Sequence, residues 1–256
     1  MMKKLIAFDL DGTLAPSKSH FNQKMVKLFD ELLTRYEVCV ISGGKYELFQ
    51  RQFLTQITTD AELLKKLHLM PTSGTRYYRY EKGKWVIKYA EDFSPSQKTK
   101  IIRALAVGLE KSGYKEQNIY GETIEDRDSQ ITLSILGQEI VSELGDKGVE
   151  IKEAWDPDGS KKMKIRDIVA SMIPEFNVRA AGATSIDVTR PGIDKAYGMK
   201  KLMHETGYKK KDILFLGDKI VPGGNDYAVF EQGIDCIKVS CWQDTALALR
   251  AILAVT

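Results

Sequence analysis

The chain has 256 residues, a formal net charge of +3 and 43% hydrophobic residues. These values allow a sizeable core in one large or two smaller domains, and the mild charge argues against a dedicated nucleic-acid binder. No apolar stretch is long enough for a membrane span or an export signal, and three cysteines without metal-ligand spacing favour core packing in a reducing compartment. We therefore expect a cytoplasmic protein with neither nucleic acid nor membrane as a partner.

The first predicted element is a buried strand over residues 5–8, an unbroken apolar run that leads directly into Asp9. Side chains two positions apart in an extended chain project to the same side, so Asp9 and Asp11 can reach one point beyond the strand. Two adjacent carboxylates fit a Mg²⁺ ion, which prefers oxygen ligands. An ordinary solvated Asp-Gly turn explains the same residues, and this stretch alone does not decide between the two.

A helix is predicted over residues 21–33, where apolar residues recur at helical spacing, and a second buried strand over residues 37–41. That strand stops at Ser42 and Gly43, where backbone amides can approach an anion at the start of the next helix, residues 46–53. Ser42 as a simple helix cap is the alternative. A short strand over residues 67–70 follows.

The pattern changes near residue 76, where a predicted hairpin over residues 77–87 begins an α+β segment. The rest of the segment is predicted as helices at 94–109 and 160–172 and strands at 130–136, 177–181 and 185–188. We place the inserted domain at 83–187 and the core at 1–82 and 188–256. The exposed aromatic residues of the hairpin make a homodimer formed through this insert an alternative to a monomer.

Past the insert, Lys195 opens a predicted helix that ends near residue 206, and residues 213–216 form another apolar strand ending in Gly217-Asp218. Asn225 and Asp226 lie in a glycine-containing loop after Asp218. A last strand at 236–239 and a last helix at 244–253 complete the chain. The predicted fold is α/β, a Rossmann-like doubly wound parallel sheet with an inserted α+β cap, and its ligands are expected at the carboxyl edge of the sheet.

Four segments occur together in a fixed order: Asp9-Leu10-Asp11-Gly12-Thr13, Ser42, Lys195, and Gly217-Asp218 through Asn225-Asp226. This ordered set resembles the haloacid dehalogenase superfamily of phosphoryl-transfer enzymes. The position of the insert resembles the type IIB cap subclass, which includes sugar-phosphate phosphatases and the eukaryotic-type phosphomannomutases. Residues 185–188 and 217–226 look like the corresponding segments of those mutases.

The resemblance implies that Asp9 attacks phosphorus and that Asp11 is the acid and then the base. It also implies a Mg²⁺ ion held by the Asp9 and Asp218 carboxylates and the Asp11 carbonyl, with Asn225 and Asp226 beside or behind these ligands. Ser42, Gly43 and Lys195 are the residues implied to bind the phosphoryl group. The expected partner is a small phosphorylated metabolite.

The insert departs from the mutase pattern. Arg127 matches the mutase pattern, whereas Gln138 and Tyr120 fall where arginines are expected and Lys18 replaces another near Asp9. A mutase must bind phosphate at both ends of its substrate, and neutral side chains give up the charge-assisted bonds. We therefore expect a phosphatase acting on a sugar phosphate or related metabolite, with a phosphohexomutase and a non-catalytic binding protein as alternatives. Ser185 and Asp187 are implied to meet sugar hydroxyls, or else form an ordinary strand pair.

Overall fold

A computed structural model describes residues 3–114 and 116–255. The chain divides into a core unit, residues 1–90 with 193–256, and a second unit, residues 91–192. These divisions lie later in the chain than the predicted limits of 83 and 187. Within the described ranges, no helix is both long and apolar enough to cross a membrane.

The core strands are β1 (Leu5–Phe8), β2 (Glu37–Ile41), β3 (Leu67–Met70), β4 (Arg76–Glu81) and β5 (Lys84–Ala90), and the second unit contains β6 (Ile124–Asp126), β7 (Ile131–Ser134), β8 (Asn177–Ala181) and β9 (Ser185–Thr189). The core is completed by β10 (Ile213–Gly217) and β11 (Asp235–Lys238).

The core helices are α1 (Gln23–Arg35), α2 (Tyr46–Phe49), which runs into a π-helical turn over Gln50–Leu54, and α3 (Ala61–Leu64). The second unit contains α4 (Pro95–Ser112), α5 (Ile140–Leu144), α6 (Asp146–Trp155) and α7 (Ser160–Met172). The core resumes with α8 (Lys195–Thr206), α9 (Tyr227–Glu231) and α10 (Trp242–Ala254), and short 3₁₀ turns span Thr72–Gly74 and Lys210–Asp212.

The core is organised around a seven-stranded sheet of order β11-β10-β1-β2-β3-β4-β5, in which β11 through β3 are parallel. Consecutive residues of β1 pack into different hydrophobic clusters: Ile6 and Phe8 into one, Leu5 and Ala7 into the other. Because successive side chains of a strand point to opposite faces, both faces of the sheet are covered. The predicted doubly wound α/β fold is confirmed.

The predicted hairpin forms as β4 and β5, but it belongs to the core. Strand β4 pairs antiparallel with β3, through His68 with Arg79 and Leu69 with Tyr78. This pairing extends the core sheet by two strands. The expectation of a dimer surface on the insert at residues 77–87 was therefore wrong in its location, since these residues lie outside the second unit.

The second unit is an antiparallel sheet of order β6-β7-β9-β8 with its own hydrophobic cluster. Ile131, Leu133 and Ile186 from the sheet join Ile101 of α4 and Ile165 of α7 in that cluster. Helix α4 starts with a capping box, in which the Ser94 hydroxyl accepts from Gln97 N–H and the Gln97 side chain accepts from Ser94 N–H. The unit has the α+β composition that its sequence predicts.

Candidate active site

Acidic side chains from separate parts of the chain meet at the carboxyl edge of the core sheet. Strands β1 and β10 are parallel neighbours, and the Asp9 N–H donates to the Leu216 carbonyl across 3.0 Å, so Asp9 and Asp218 follow adjacent strand ends. Carboxylate oxygens of Asp9, Asp218 and Asp226 lie within 4.8 Å of one another. Three acids that are remote in sequence thus form one cluster, which we call the acidic triad.

Two glycines permit this close approach. A Cβ on Gly12, which has a φ of +85°, would lie 2.7 Å from Asp218 Oδ2, and a Cβ on Gly217 would lie 2.5 Å from Asp226 Oδ2. Both distances are shorter than any normal contact of a Cβ atom. A side chain at position 12 or 217 would occupy the space that these carboxylates fill, so both positions require glycine.

Lys195 lies at the first position of α8, where the Asp194 side chain accepts from Tyr197 N–H at 2.8 Å and caps the helix. Its ammonium donates to Asp9 Oδ1 at 2.5 Å and to Asp226 Oδ1 at 2.5 Å. The lysine side chain is 2% exposed. A lysine this deeply buried is stable only with partners of opposite charge, and here it has two.

Burial and neighbouring charges oppose each other in this cluster. The pKa of Asp9 is raised to about 7. Burial is the largest cause of this rise, the carboxylates of Asp226 and Asp11 add to it, and Lys195 opposes it. Burial alone would lower the pKa of Lys195, but Asp9 and Asp226 outweigh burial and raise it, so the lysine is charged. The three carboxylates of the triad thus have one buried ammonium, that of Lys195, and one exposed ammonium, that of Lys219, which lies 3.1 Å from Asp218 Oδ2.

The donor set of the triad fits a hard divalent cation. All three side chains offer oxygen atoms, the ligand type that such cations prefer, and added positive charge would offset the repulsion among them. Asp226 is fully buried, and its second oxygen accepts from Lys219 N–H at 2.9 Å. Asp226 is thus fixed by Lys195 on one side and by backbone on the other, which suits a residue that orients its neighbours.

The Asp11 carboxylate lies outside the triad and has different partners. Its Oδ1 accepts from the backbone N–H of Lys18 at 2.6 Å and from the side-chain amide of Gln52 at 3.0 Å. Gln52 was not predicted from the sequence. The sequence feature that could have pointed to Gln52 is its position on an apolar helix face, between Phe49 and Phe53. All three side chains are fully buried.

Ser42 and Gly43 follow the end of β2, the strand next to β1. Ser42 is 3% exposed, and its hydroxyl accepts from Gly44 N–H at 3.1 Å. This contact closes a turn in the loop and does not cap α2, because the N-cap of that helix is Lys45, without a side-chain hydrogen bond. The helix-cap alternative for Ser42 was therefore wrong. Asn225 is exposed in the loop that precedes α9.

The remaining predicted residues lie in the second unit. Strand pairing aligns Glu125, Thr132, Asp187 and Arg179 across the four strands, and Ser185 begins β9. Asp187 accepts from the Thr132 hydroxyl at 2.7 Å, and burial raises its pKa against the opposing effect of Arg127. Arg127 Nε contacts the Glu125 carboxylate at 2.7 Å.

Comparison with known proteins agrees with this fold. The family described as haloacid dehalogenase-like hydrolase matches residues 6–233. Phosphomannomutase of Encephalitozoon cuniculi is 25% identical over 238 residues, covering 89% of this chain and 84% of its own. Phosphomannomutase 1 of Homo sapiens is 24% identical over 237 residues, covering 88% and 82%. A C-terminally truncated IMP-nucleotidase of Plasmodium falciparum is similar in structure, with a TM-score of 0.69, 18% identity and coverage of 100% of this chain and 72% of its own.

Proposed function

The chain belongs to the haloacid dehalogenase-like hydrolase family, and on this basis we propose that it is a magnesium-dependent phosphatase acting on a sugar phosphate or a related phosphorylated metabolite. The observation that carries the proposal is the buried contact of Lys195 with Asp9 and Asp226, beside Asp218 and Asp11, at one edge of the sheet. This arrangement provides a carboxylate nucleophile, a fixed positive charge and a nearby acid/base group.

In the proposed reaction, an Asp9 oxygen forms a bond to phosphorus while the bond from phosphorus to the leaving oxygen breaks. Protonated Asp11 gives its proton to that leaving oxygen. A water molecule then attacks the aspartyl-phosphate, Asp11 takes the proton of the water, and the bond between Asp9 and phosphorus breaks. Lys195, Ser42 and Gly43 bind the phosphoryl oxygens and stabilise their charge.

Mg²⁺ is the proposed cofactor, and Asp9, Asp218 and the Asp11 carbonyl are its proposed ligands, with Asp226 and Asn225 adjacent. Bound there, the ion would supply positive charge for the phosphoryl oxygens and for the acidic triad. A rate that is independent of magnesium and unaffected by a chelator would contradict this assignment.

Charges in the second unit favour a phosphatase over a mutase. Arg127 forms an ion pair with Glu125, and the Asp187 carboxyl lies near Arg127. A second phosphate bound at Arg127 would therefore meet two acidic groups. The side-chain amide of Gln138 makes long contacts, at 3.4 Å and 3.5 Å, with the Thr123 and Thr132 carbonyls. A neutral amide gives weaker phosphate binding than a guanidinium. Lys18, Arg127, Ser185 and Asp187 remain the proposed substrate-selecting residues.

A phosphomannomutase-type phosphohexomutase is the second candidate, because curated relatives along most of the chain are phosphomannomutases. A non-catalytic binding protein is less well supported, since binding alone needs no acid/base residue beside the nucleophile. We propose a small phosphorylated metabolite as the partner of a cytoplasmic enzyme, either monomeric or dimeric.

One assay separates the two enzymatic candidates. Inorganic phosphate release from a panel of hexose phosphates is measured beside conversion of mannose 1-phosphate to mannose 6-phosphate with a hexose bisphosphate present. A phosphatase releases phosphate faster than it isomerises the sugar phosphate. Isomerisation faster than hydrolysis would reverse the order of the candidates, and an inactive protein that still binds these compounds would support the third.

A further inference from the structure

The Asp11 carboxylate is held by two donors on the same oxygen, Lys18 N–H at 2.6 Å and Gln52 Nε2 at 3.0 Å. We propose that Gln52 is a positioning residue that fixes the Asp11 side chain for proton transfer. This inference rests on the proposed function, since it concerns the acid/base step of that reaction.

Gln52 is buried in a place where an apolar residue would be expected. It lies in the π-helical turn Gln50–Leu54, and turns of this kind are frequent at functional sites. Its amide nitrogen donates to Asp11 Oδ1 and, at 3.0 Å, to the Ser19 carbonyl. Its Oε1 is buried without a hydrogen-bond partner in the described part of the chain. Leaving a buried carbonyl unpaired costs free energy, so core packing alone does not account for a glutamine here.

The backbone of Gln52 also holds the loop that supplies the second donor. Its carbonyl accepts from Phe21 N–H at 3.0 Å, while its side chain holds Ser19. Lys18, between Asp11 and these anchors, has a φ of +56°, a conformation that costs energy for a residue with a side chain. Gln52 therefore supports both hydrogen bonds to Asp11, one directly and one through the loop.

Two donors on Oδ1 leave Oδ2 as the oxygen that carries the proton. In the first step, the proton on Oδ2 moves to the leaving oxygen as its bond to phosphorus breaks. In the second step, Oδ2 takes a proton from the attacking water. A carboxyl group that rotates freely would present this oxygen only part of the time, so the anchors raise the rate of both transfers.

The test compares substrates whose leaving groups differ in their need for a proton. Gln52→Met keeps the length of the side chain but removes the amide N–H groups that donate to Asp11 and to the Ser19 carbonyl. Phenyl phosphate needs protonation of its leaving oxygen, whereas 2,4-dinitrophenyl phosphate releases an acidic phenol that needs none. We measure kcat/KM, which covers the steps through release of the leaving group, for both compounds and for a hexose phosphate.

We expect Gln52→Met to lower kcat/KM for phenyl phosphate and the hexose phosphate by about tenfold or more. Loss of a hydrogen bond to a charged group typically has an effect of this size. The value for 2,4-dinitrophenyl phosphate should fall less than threefold. An equal fall for all compounds would overturn the proposal in favour of a structural role. Unchanged or increased values for phenyl phosphate would also overturn it.

Gln56→Met is the matched control, since Gln56 lies four residues on and its amide contacts His20 and the Gln52 carbonyl. It should leave all three kcat/KM values unchanged. Should Gln52→Met not fold by circular dichroism, Gln52→Asn gives the same comparison, because it stays neutral and polar but is one methylene shorter and withdraws its amide from Asp11. A wild-type protein inactive on every phosphate ester would refute the proposed function instead, so the two failures are distinguishable.

Discussion

Replacing Lys195 with methionine tests the charge balance of the active site. Met has a similar length but no charge, so Lys195→Met leaves Asp9 and Asp226 buried together without their shared partner. Removing one partner of a buried ion pair destabilises a protein by about 3–5 kcal/mol. In a chain of this size each kcal/mol lowers the melting temperature by about 2–4 °C, so we expect a decrease of about 10 °C.

The assay is differential scanning calorimetry with a chelator present, so that no cation replaces the lost charge. Adding magnesium should recover part of the decrease, because the cation becomes the main counter-charge of the triad. Lys4→Met is the control, since Lys4 has a side chain 58% exposed and an ion pair with Asp212 at 3.3 Å. Exposed pairs contribute about 0–1 kcal/mol, so this variant should melt close to the wild type.

A melting temperature of Lys195→Met within about 2 °C of the Lys4→Met value would refute the reasoning. It would mean that Asp9 and Asp226 carry no unbalanced charge in the folded protein. A magnesium effect no larger than that on the wild type would contradict the account of the triad as a cation site.

Three further predictions follow from the same structure. Gly12→Ala should weaken magnesium binding measured by calorimetric titration, because the new Cβ displaces Asp218, whereas Gly223→Ala, at a φ of +83° in open space, should not. Magnesium affinity should fall by about tenfold per pH unit below pH 7, because burial raises the pKa of Asp9 to about 7 and a proton then competes with the ion; a constant affinity would contradict this. Burial lowers the pKa of His68 to about 4, below its value in the unfolded chain. Between pH 6.5 and 4 the unfolded chain therefore binds more protons than the folded one, and the free energy of unfolding should fall by about 3 kcal/mol as the pH drops across this range. Urea unfolding across this range checks the last prediction, and His68→Asn should remove most of the decrease.

The parallel core and its acidic edge were predictable because their signals are local. An apolar run that ends in Asp9 and another that ends in Gly217-Asp218 both indicate buried strands, and parallel strands place their carboxyl ends together. Lys195 was found because the sequence resembles a family whose motifs occur in a fixed order. The contact of Lys195 with both Asp9 and Asp226 depends on how α8 packs, which no local pattern records.

Other features depend on tertiary contacts. A hairpin pattern over residues 77–87 does not specify which sheet the hairpin joins. In the structure, β4 pairs with β3, and this pairing places the hairpin in the core sheet. Helix α6 was not predicted because Gly148 interrupts a weak apolar pattern, whereas in the structure Trp155 packs on Tyr114 and its indole donates to Glu116 at 2.6 Å. In the sequence, Gln52 is only a polar residue on an apolar helix face, because no local pattern shows that Asp11 lies beside it.

The most direct measurement is acid quenching of the enzyme during turnover of a ³²P-labelled phosphate ester, followed by peptide mapping of the bound label. The account predicts label on the peptide that contains Asp9, released by hydroxylamine, dependent on magnesium and absent from Asp9→Asn. Steady phosphate release with no label on that peptide, and an Asp9→Asn variant that keeps its full rate, would contradict it.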